Sequence, residues 1–410
     1  MKIPVLVDKV AKKAAEAKEK VQQKVEAKIA EKKEDGTLDS SKIGAILRAI
    51  LFVKGPIRAA TAYTDLAQYK DIECMVKNWR IPHKTDNLEL GAWHYLPAAG
   101  TPSPRPAAVS DELSRDALRC ASCIFRLYTL ASDTIESYRN SKLPVILFLH
   151  GLGSDRASGN YRRFGNMLVR HDIQSLHLDY RGYGDSTKLT DITEEGVISD
   201  AMVALQWLEA AGVSLNNITV VGYSLGTGIA AALVERLRLK GRIPRALVLV
   251  AAYTSIADVL TKYRPGGVLP IGRPLGWHPG LKEGALTHLN TPLNTISILP
   301  NVTCPILLVH ARSDRDLECD NSARLFQAVL GDEKLPEQLK QDFTSTEIGS
   351  KNYLRTFLRR ENRLRKGDQW PVIEYLETEK GKHVEILHQE ETLLAIQTIM
   401  SKGWRRYCKE

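Results

Sequence analysis

The residues best suited to chemistry are a serine, an aspartate and a histidine, met in that order along the 410-residue chain. Ser224 sits at the centre of Gly222-Tyr223-Ser224-Leu225-Gly226, between an apolar, β-branched run of strand length (218–223) and a segment with apolar residues at helical spacing (Ile229, Leu233, Leu237). A nucleophile held on so sharp a strand-to-helix turn needs small neighbours, and Gly222 and Gly226 supply the room. A helix N-terminus beside it offers free backbone N–H groups to developing negative charge. A serine hydroxyl is a poor nucleophile at neutral pH, so it needs a base, and the base needs an orienting carboxylate. Asp314, in the run HARSDRD directly after the apolar stretch 305–312, is the candidate acid; Asp316 and Asp320 are its rivals. His383, in EKGKHVEIL after the stretch 372–377, is the candidate base. Its rival His388 is placed by the sequence within the helix that begins near there. The oxyanion formed by attack needs two preorganised N–H donors. The expected pair is Leu225, just after the nucleophile, and Leu152, in the glycine-bearing run HGLGS (150–154). Taken singly, each feature has a plainer reading: a glycine turn for close packing, a capping aspartate, a simple loop. The ordered set favours nucleophilic acyl chemistry, for which no metal or cofactor is required.

The elements that must position these residues form a regular alternation from residue 143 onward. Apolar runs at 144–150, 175–180, 218–223, 245–253, 305–312 and 372–377 read as strands, and 161–172, 197–212, 225–237 and 322–330 read as helices. Such alternation implies an α/β fold: a mostly parallel central sheet with helices on both faces. Ligands in such sheets gather at the carboxyl ends of the strands, where Ser224, Asp314 and His383 all fall. Upstream, 72–82 and 88–97 read as two strands joined by the turn HKTDN, residues 98–111 as a proline-rich surface loop, and 112–140 as helical. The expected division is a helical extension over 1–60 and an α/β domain over 70–405. A lid-like insertion at 254–300 and a second insertion at 331–370 interrupt that domain.

Charge is concentrated rather than spread. The formal net charge is +9; residues 1–34 carry ten Lys against six acidic residues, and 355–366 carry six basic residues against one. Those two stretches account for the whole excess, so the body is balanced, which argues against a nucleic-acid-binding domain and suits contact with an anionic lipid surface or an acidic partner. Solvated helical faces are the plainer explanation. Residues 8–34 form a Lys/Ala/Glu-rich helical pattern with a thin apolar stripe. Residues 43–53 place Ile43, Ile46, Leu47, Ile50 and Leu51 on one broad apolar face flanked by Lys42 and Lys54. That length is too short to span a bilayer but suits a helix lying in the membrane interface, or one docked on the protein. No run of about 18 apolar residues is present. Six cysteines in this length suggest a reducing compartment, and the Cys120/Cys123 pair lacks a second pair at zinc-site spacing. Nothing in the sequence fixes the oligomeric state.

The segments HGLGSDR, LDYRGYGDS (178–186), GYSLGTG, HARSD and the late GKH occur in the order and spacing of the α/β-hydrolase superfamily. Together with DNLELGAWHYLP (86–97), they most resemble the membrane-associated monoacylglycerol and lysophosphatidylserine lipase branch, over about residues 70–400. The resemblance implies a serine hydrolase acting on single-chain glycerolipids or lysophospholipids, intracellular and membrane-associated, with the endoplasmic reticulum as the expected location. It carries Ser224, Asp314 and His383 onto the catalytic triad. The branch has an N-terminal transmembrane helix, where this chain shows only the shorter 43–53 face, and the span between Asp314 and His383 is lengthened here by 331–370. HGLGSD also fits an acyltransferase H-x4-D pattern through His150 and Asp155, although its glycines suit an oxyanion loop better. Two other functions fit the same residues: a thioesterase acting on protein-bound acyl groups, and a non-catalytic scaffold with the hydrolase fold.

Overall fold

The computed structural model describes residues 58–72, 74–97, 144–189, 191–264, 293–330, 353–357 and 373–407, together with Arg48 and Phe52. Nine strands in these residues form one sheet, in the order β1-β2-β4-β3-β5-β6-β7-β9-β8. They are β1 (Met75–His83), β2 (Leu88–Leu96), β3 (Val145–Leu149), β4 (Gln174–Leu178), β5 (Ile218–Tyr223), β6 (Ala246–Val250), β7 (Ile306–Ala311), β8 (Tyr353–Phe357) and β9 (Ile373–Thr378). The six central strands run parallel. The β1–β2 hairpin adds antiparallel strands at one edge, and β8 adds one at the other.

The central strands are apolar on both sides because both faces are covered. Along β3, Val145, Leu147 and Leu149 point into one core while Ile146 and Phe148 point into the other. The first core takes residues from helices α2 (Glu194–Ala210), α3 (Leu225–Arg238) and α5 (Asp320–Leu330). The opposite core takes them from α1 (Gly159–Val169) and α6 (Glu390–Tyr407), through Tyr161, Phe164 and Leu168 and through Leu393, Ile396 and Ile399. Helix α2 starts on a Thr193 side chain that accepts from the Gly196 N–H, with Glu194 and Glu195 in its first turn, the charge sign a helix N-terminus favours. A shorter helix, α4 (Ile256–Lys262), follows β6 and is capped by Ser255.

The structure departs from the sequence reading in four places. The apolar run at 245–253 is not all strand: β6 stops at Val250, and Ala251 has φ 53°. Residues 251–253 are apolar because they are buried: Ala251 lies in the opposite core, and Ala252 and Tyr253 lie in the first core, where the Tyr253 hydroxyl is 3.4 Å from the Leu225 carbonyl of α3. Likewise β4 ends at Leu178, which releases Asp179 and Tyr180 into the turn that follows. Strand β8 lies inside the insertion 331–370, where no strand was expected; an edge strand pairs on one side only and needs no apolar run. His388 lies outside any α-helix: it closes a 3-10 turn (Glu385–His388), and α6 begins at Glu390.

The expected helices at 8–34 and 112–140, the Cys120/Cys123 pair and most of both insertions fall outside the described residues. Of the 43–53 stretch, Arg48 bonds Asp191 at 3.1 Å and Phe52 is buried in the first core. No helix among the described residues is long and apolar enough to cross a membrane.

Candidate active site

Strands β5, β7 and β9 end on the same side of the sheet, β7 standing two places from β5 and next to β9 in the order β5-β6-β7-β9. Their following loops therefore meet. Ser224 caps α3 with φ 51° and ψ −119°, a conformation an L-residue adopts only at a cost of a few kcal/mol. The surroundings impose it. The Ser224 N–H donates to the Val250 carbonyl at 3.0 Å, and the Ser224 carbonyl accepts from the Thr227 N–H at 2.9 Å. Gly226 lies so close to the end of β3 that a Cβ there would overlap the Leu149 carbonyl oxygen.

His383 comes to this serine from 159 residues away, with Nε2 2.9 Å from Ser224 Oγ. Its Nδ1 lies 2.6 Å from Asp314 Oδ2. With the carboxylate accepting from Nδ1–H, Nε2 is left to accept the serine proton. The loop that presents His383 is held at several points. The Tyr223 hydroxyl donates to the His383 carbonyl at 3.1 Å, Ser313 Oγ to the Gly381 carbonyl at 3.0 Å and Gln389 Nε2 to the Lys380 carbonyl at 2.6 Å. Gly381 itself has φ 129°, where a side chain would strain the turn.

Asp314 is nearly inaccessible, yet well supplied with donors. Oδ1 accepts from the Asp316 and Leu317 N–H groups at 2.9 and 3.0 Å. Burial alone would raise its pKa, but hydrogen bonds from His310 and His383 outweigh that and hold the carboxyl well below its ordinary range. Of the rivals, Asp316 contributes its backbone N–H to Asp314, and Asp320 opens helix α5. His388 is pulled down to about 4 by burial and by Arg163, and its ring nitrogens have no hydrogen-bond partner among the described residues.

The loop after β3 runs beside the elbow: a Cβ on Gly151 would lie 3.1 Å from Ser224 Cβ. His150 Nδ1 donates to the Gly151 carbonyl at 2.8 Å, and the Gly151 N–H donates to Tyr161 Oη at 3.1 Å. Because the peptide is planar, fixing the Gly151 carbonyl also fixes the direction of the Leu152 N–H on its other side. Leu225 is the first residue of α3. The H-x4-D pair is otherwise engaged. Asp155 accepts from Arg58 at 3.0 Å and from the Ala157 N–H at 2.9 Å, while burial pulls His150 down to about 4.

LDYRGYGDS turns out to be a brace behind this loop. Asp179 accepts from the Arg156 N–H at 2.7 Å and pairs with the Arg156 guanidinium. Arg181 pairs with both Asp200 and Asp86 at 2.7 Å. Ser186 Oγ donates to the Asp179 carbonyl at 2.8 Å. His310 was not singled out by the sequence reading. It sits within an apolar strand, where a histidine reads as a core position, and its one signal is that it stands four residues before Asp314.

The family model described as alpha/beta hydrolase fold matches residues 144–266. The chain is 27% identical over 234 residues to a lysophosphatidylserine lipase, ABHD12, of Danio rerio, covering 56% of this chain and 52% of that protein. It is 29% identical over 203 residues to human Protein ABHD12B, covering 48% and 53%. Among solved structures, a Pyrococcus furiosus esterase aligns with a TM-score of 0.49 at 15% identity, covering 85% of this chain and 97% of that one. The chain spans about half the length of the curated relatives it matches.

Proposed function

For this chain, an α/β-hydrolase-fold protein, we propose the function of a serine hydrolase that cleaves carboxylic esters of single-chain lipids, monoacylglycerols or lysophospholipids, through an acyl-enzyme. The observation that carries the proposal is the unbroken chain of hydrogen bonds from Ser224 Oγ through His383 to Asp314. In this reading Ser224 Oγ attacks the ester carbonyl while His383 Nε2 takes its proton. The N–H groups of Leu225 and Leu152 bind the oxyanion. As the tetrahedral intermediate collapses, the carbonyl–oxygen ester bond breaks and His383 passes the proton to the leaving alcohol. Water then enters, gives a proton to His383 and attacks the acyl carbon; collapse breaks the acyl–Ser224 Oγ bond, Oγ takes the proton back from His383, and the fatty acid leaves. Asp314 holds the imidazole and balances its charge while it is protonated.

The similarity to lipases supports a lipid substrate, and the amphipathic stretch supports a lipid surface as the place where it is met. Arg48 and Phe52 engage the protein body. Ideal helical spacing in the sequence would put Ile43, Ile46 and Ile50 opposite that pair, with Leu47 and Leu51 towards its flank. Residues 43–53, together with the lid-like insertion 254–300, would then bring the site to a membrane surface.

One experiment separates the alternatives. Wild type, Ser224→Ala and a chain lacking residues 1–54 are given lysophospholipid, monoacylglycerol and acyl-thioester substrates in anionic vesicles. Turnover of the lipid esters by wild type, none by Ser224→Ala, and weaker vesicle binding by the shortened chain are expected. Preference for the thioester would favour the thioesterase. Equal turnover by Ser224→Ala would end the proposal, and unchanged vesicle binding would reduce 1–54 to a solubilising tail.

A further inference from the structure

His310 lies on β7 with no exposed surface, and the triad mechanism above makes no use of it. Its Nε2 is 2.9 Å from the Leu317 carbonyl oxygen and 3.3 Å from Asp314 Oδ2. A carbonyl can only accept, so Nε2 carries the proton. In a neutral ring Nδ1 is then an acceptor, and Ser322 Oγ on α5, 2.7 Å away, is placed to donate to it. Leu317 closes the loop: its carbonyl accepts from His310 Nε2–H while its N–H donates to Asp314 Oδ1 at 3.0 Å. Asp314 Oδ2 thus faces two imidazoles, that of His383 at 2.6 Å and that of His310 at 3.3 Å.

We propose that His310 is a positioning residue of this site. With its tautomer set by the Leu317 carbonyl, which can only accept, it fixes the Asp314 carboxylate in the orientation that His383 uses, and it draws part of that carboxylate's charge away from His383. The proposal rests on the assignment of Ser224, His383 and Asp314 as the reacting set. Removing the Nε2 donor concentrates charge on the side of Asp314 that faces His383. The imidazolium is then better stabilised, so His383 holds its proton to a higher pH. The other ionisable groups around the pair are few. Tyr223 and Tyr263 face His383 from the ends of β5 and α4, and burial keeps both phenols neutral. Asp316 lies in the Asp314 loop, and the Lys382–Glu385 pair at 3.5 Å is solvent-exposed. None of these changes when residue 310 is substituted.

The test compares wild type with His310→Leu, His310→Gln and Ser322→Ala over about pH 5 to 9, the range in which an imidazole titrates. Two quantities are read: the rate of covalent labelling by a serine-reactive phosphonate, and the titration midpoint of the His383 ring by nitrogen-edited NMR. His310→Leu should raise the midpoint and the acidic limb of labelling by about half a pH unit or more, and slow labelling at the plateau about tenfold. The Gln amide can still donate from the Nε2 position, so His310→Gln should keep the midpoint near that of wild type. Ser322→Ala removes only the partner of Nδ1 and leaves Nε2 facing two acceptors, so it should keep the midpoint near that of wild type. If His310→Leu labels poorly but keeps the wild-type midpoint, His310 is only a packing residue and the proposal falls. Should that variant not fold, an unchanged midpoint in His310→Phe, which keeps a buried ring but has no donor, has the same force. Wild type that takes no label would overturn the hydrolase reading instead, and the NMR midpoints would still decide the role of His310.

Discussion

At the scale of single residues, the site is an exercise in fixing one proton. Asp314 receives two backbone N–H groups on Oδ1 and faces two imidazoles on Oδ2, and that donor set keeps a nearly buried carboxylate charged. Its pKa is depressed on folding, so the stability it contributes is present above its unfolded pKa of about 4 and is lost as the pH falls below that. Asp314→Asn should therefore lower kcat by roughly a thousandfold or more, because the amide no longer holds the right tautomer of His383. It should also be less stable than wild type in urea at neutral pH, with the gap narrowing below about pH 4. A gap that stayed constant with pH would contradict the charge argument. Ser224, Asp314 and His383 were legible in the sequence because each follows an apolar run and each has the residue type its role needs. His310 was not, because one buried histidine in an apolar strand looks like any other core residue until the loop beyond it is folded back.

At the scale of elements, the β5–α3 elbow does the positioning. Ser224 is held at positive φ by contacts that leave no room for a side chain at Gly226, whose Cβ would overlap the Leu149 carbonyl. Gly226→Ala should consequently cost about 2–3 kcal/mol in urea unfolding, and phosphonate labelling should fall with it as the elbow shifts. A fully stable, fully reactive variant would show that the elbow is not constrained as described. The alternation of strand and helix was readable from residue 143 onward because both-face burial writes apolar runs into the central strands. Strand ends were less readable. Residues 251–253 stay apolar after β6 has ended, since burial does not require a strand, and the edge strand β8 carries no apolar run at all.

At the scale of the whole molecule, the sheet order brings together loops that begin after residues 223, 311 and 378. That order is not written in any one strand; it follows from how parallel strands cross over and pack. The sequence pointed to the strand ends, and the topology makes them neighbours. The formal charge excess lies in 1–34 and, within the second insertion, in 355–366, and under the proposed function such basic stretches would suit contact with an anionic surface. In the proposed function Ser224 is the nucleophile of this assembled site. Reaction of the whole protein with a serine-reactive phosphonate, followed by peptide mapping, tests that most directly. A single adduct on Ser224, lost in both Ser224→Ala and His383→Ala, is the predicted result. An adduct on another residue, or labelling that survives both substitutions, would contradict it.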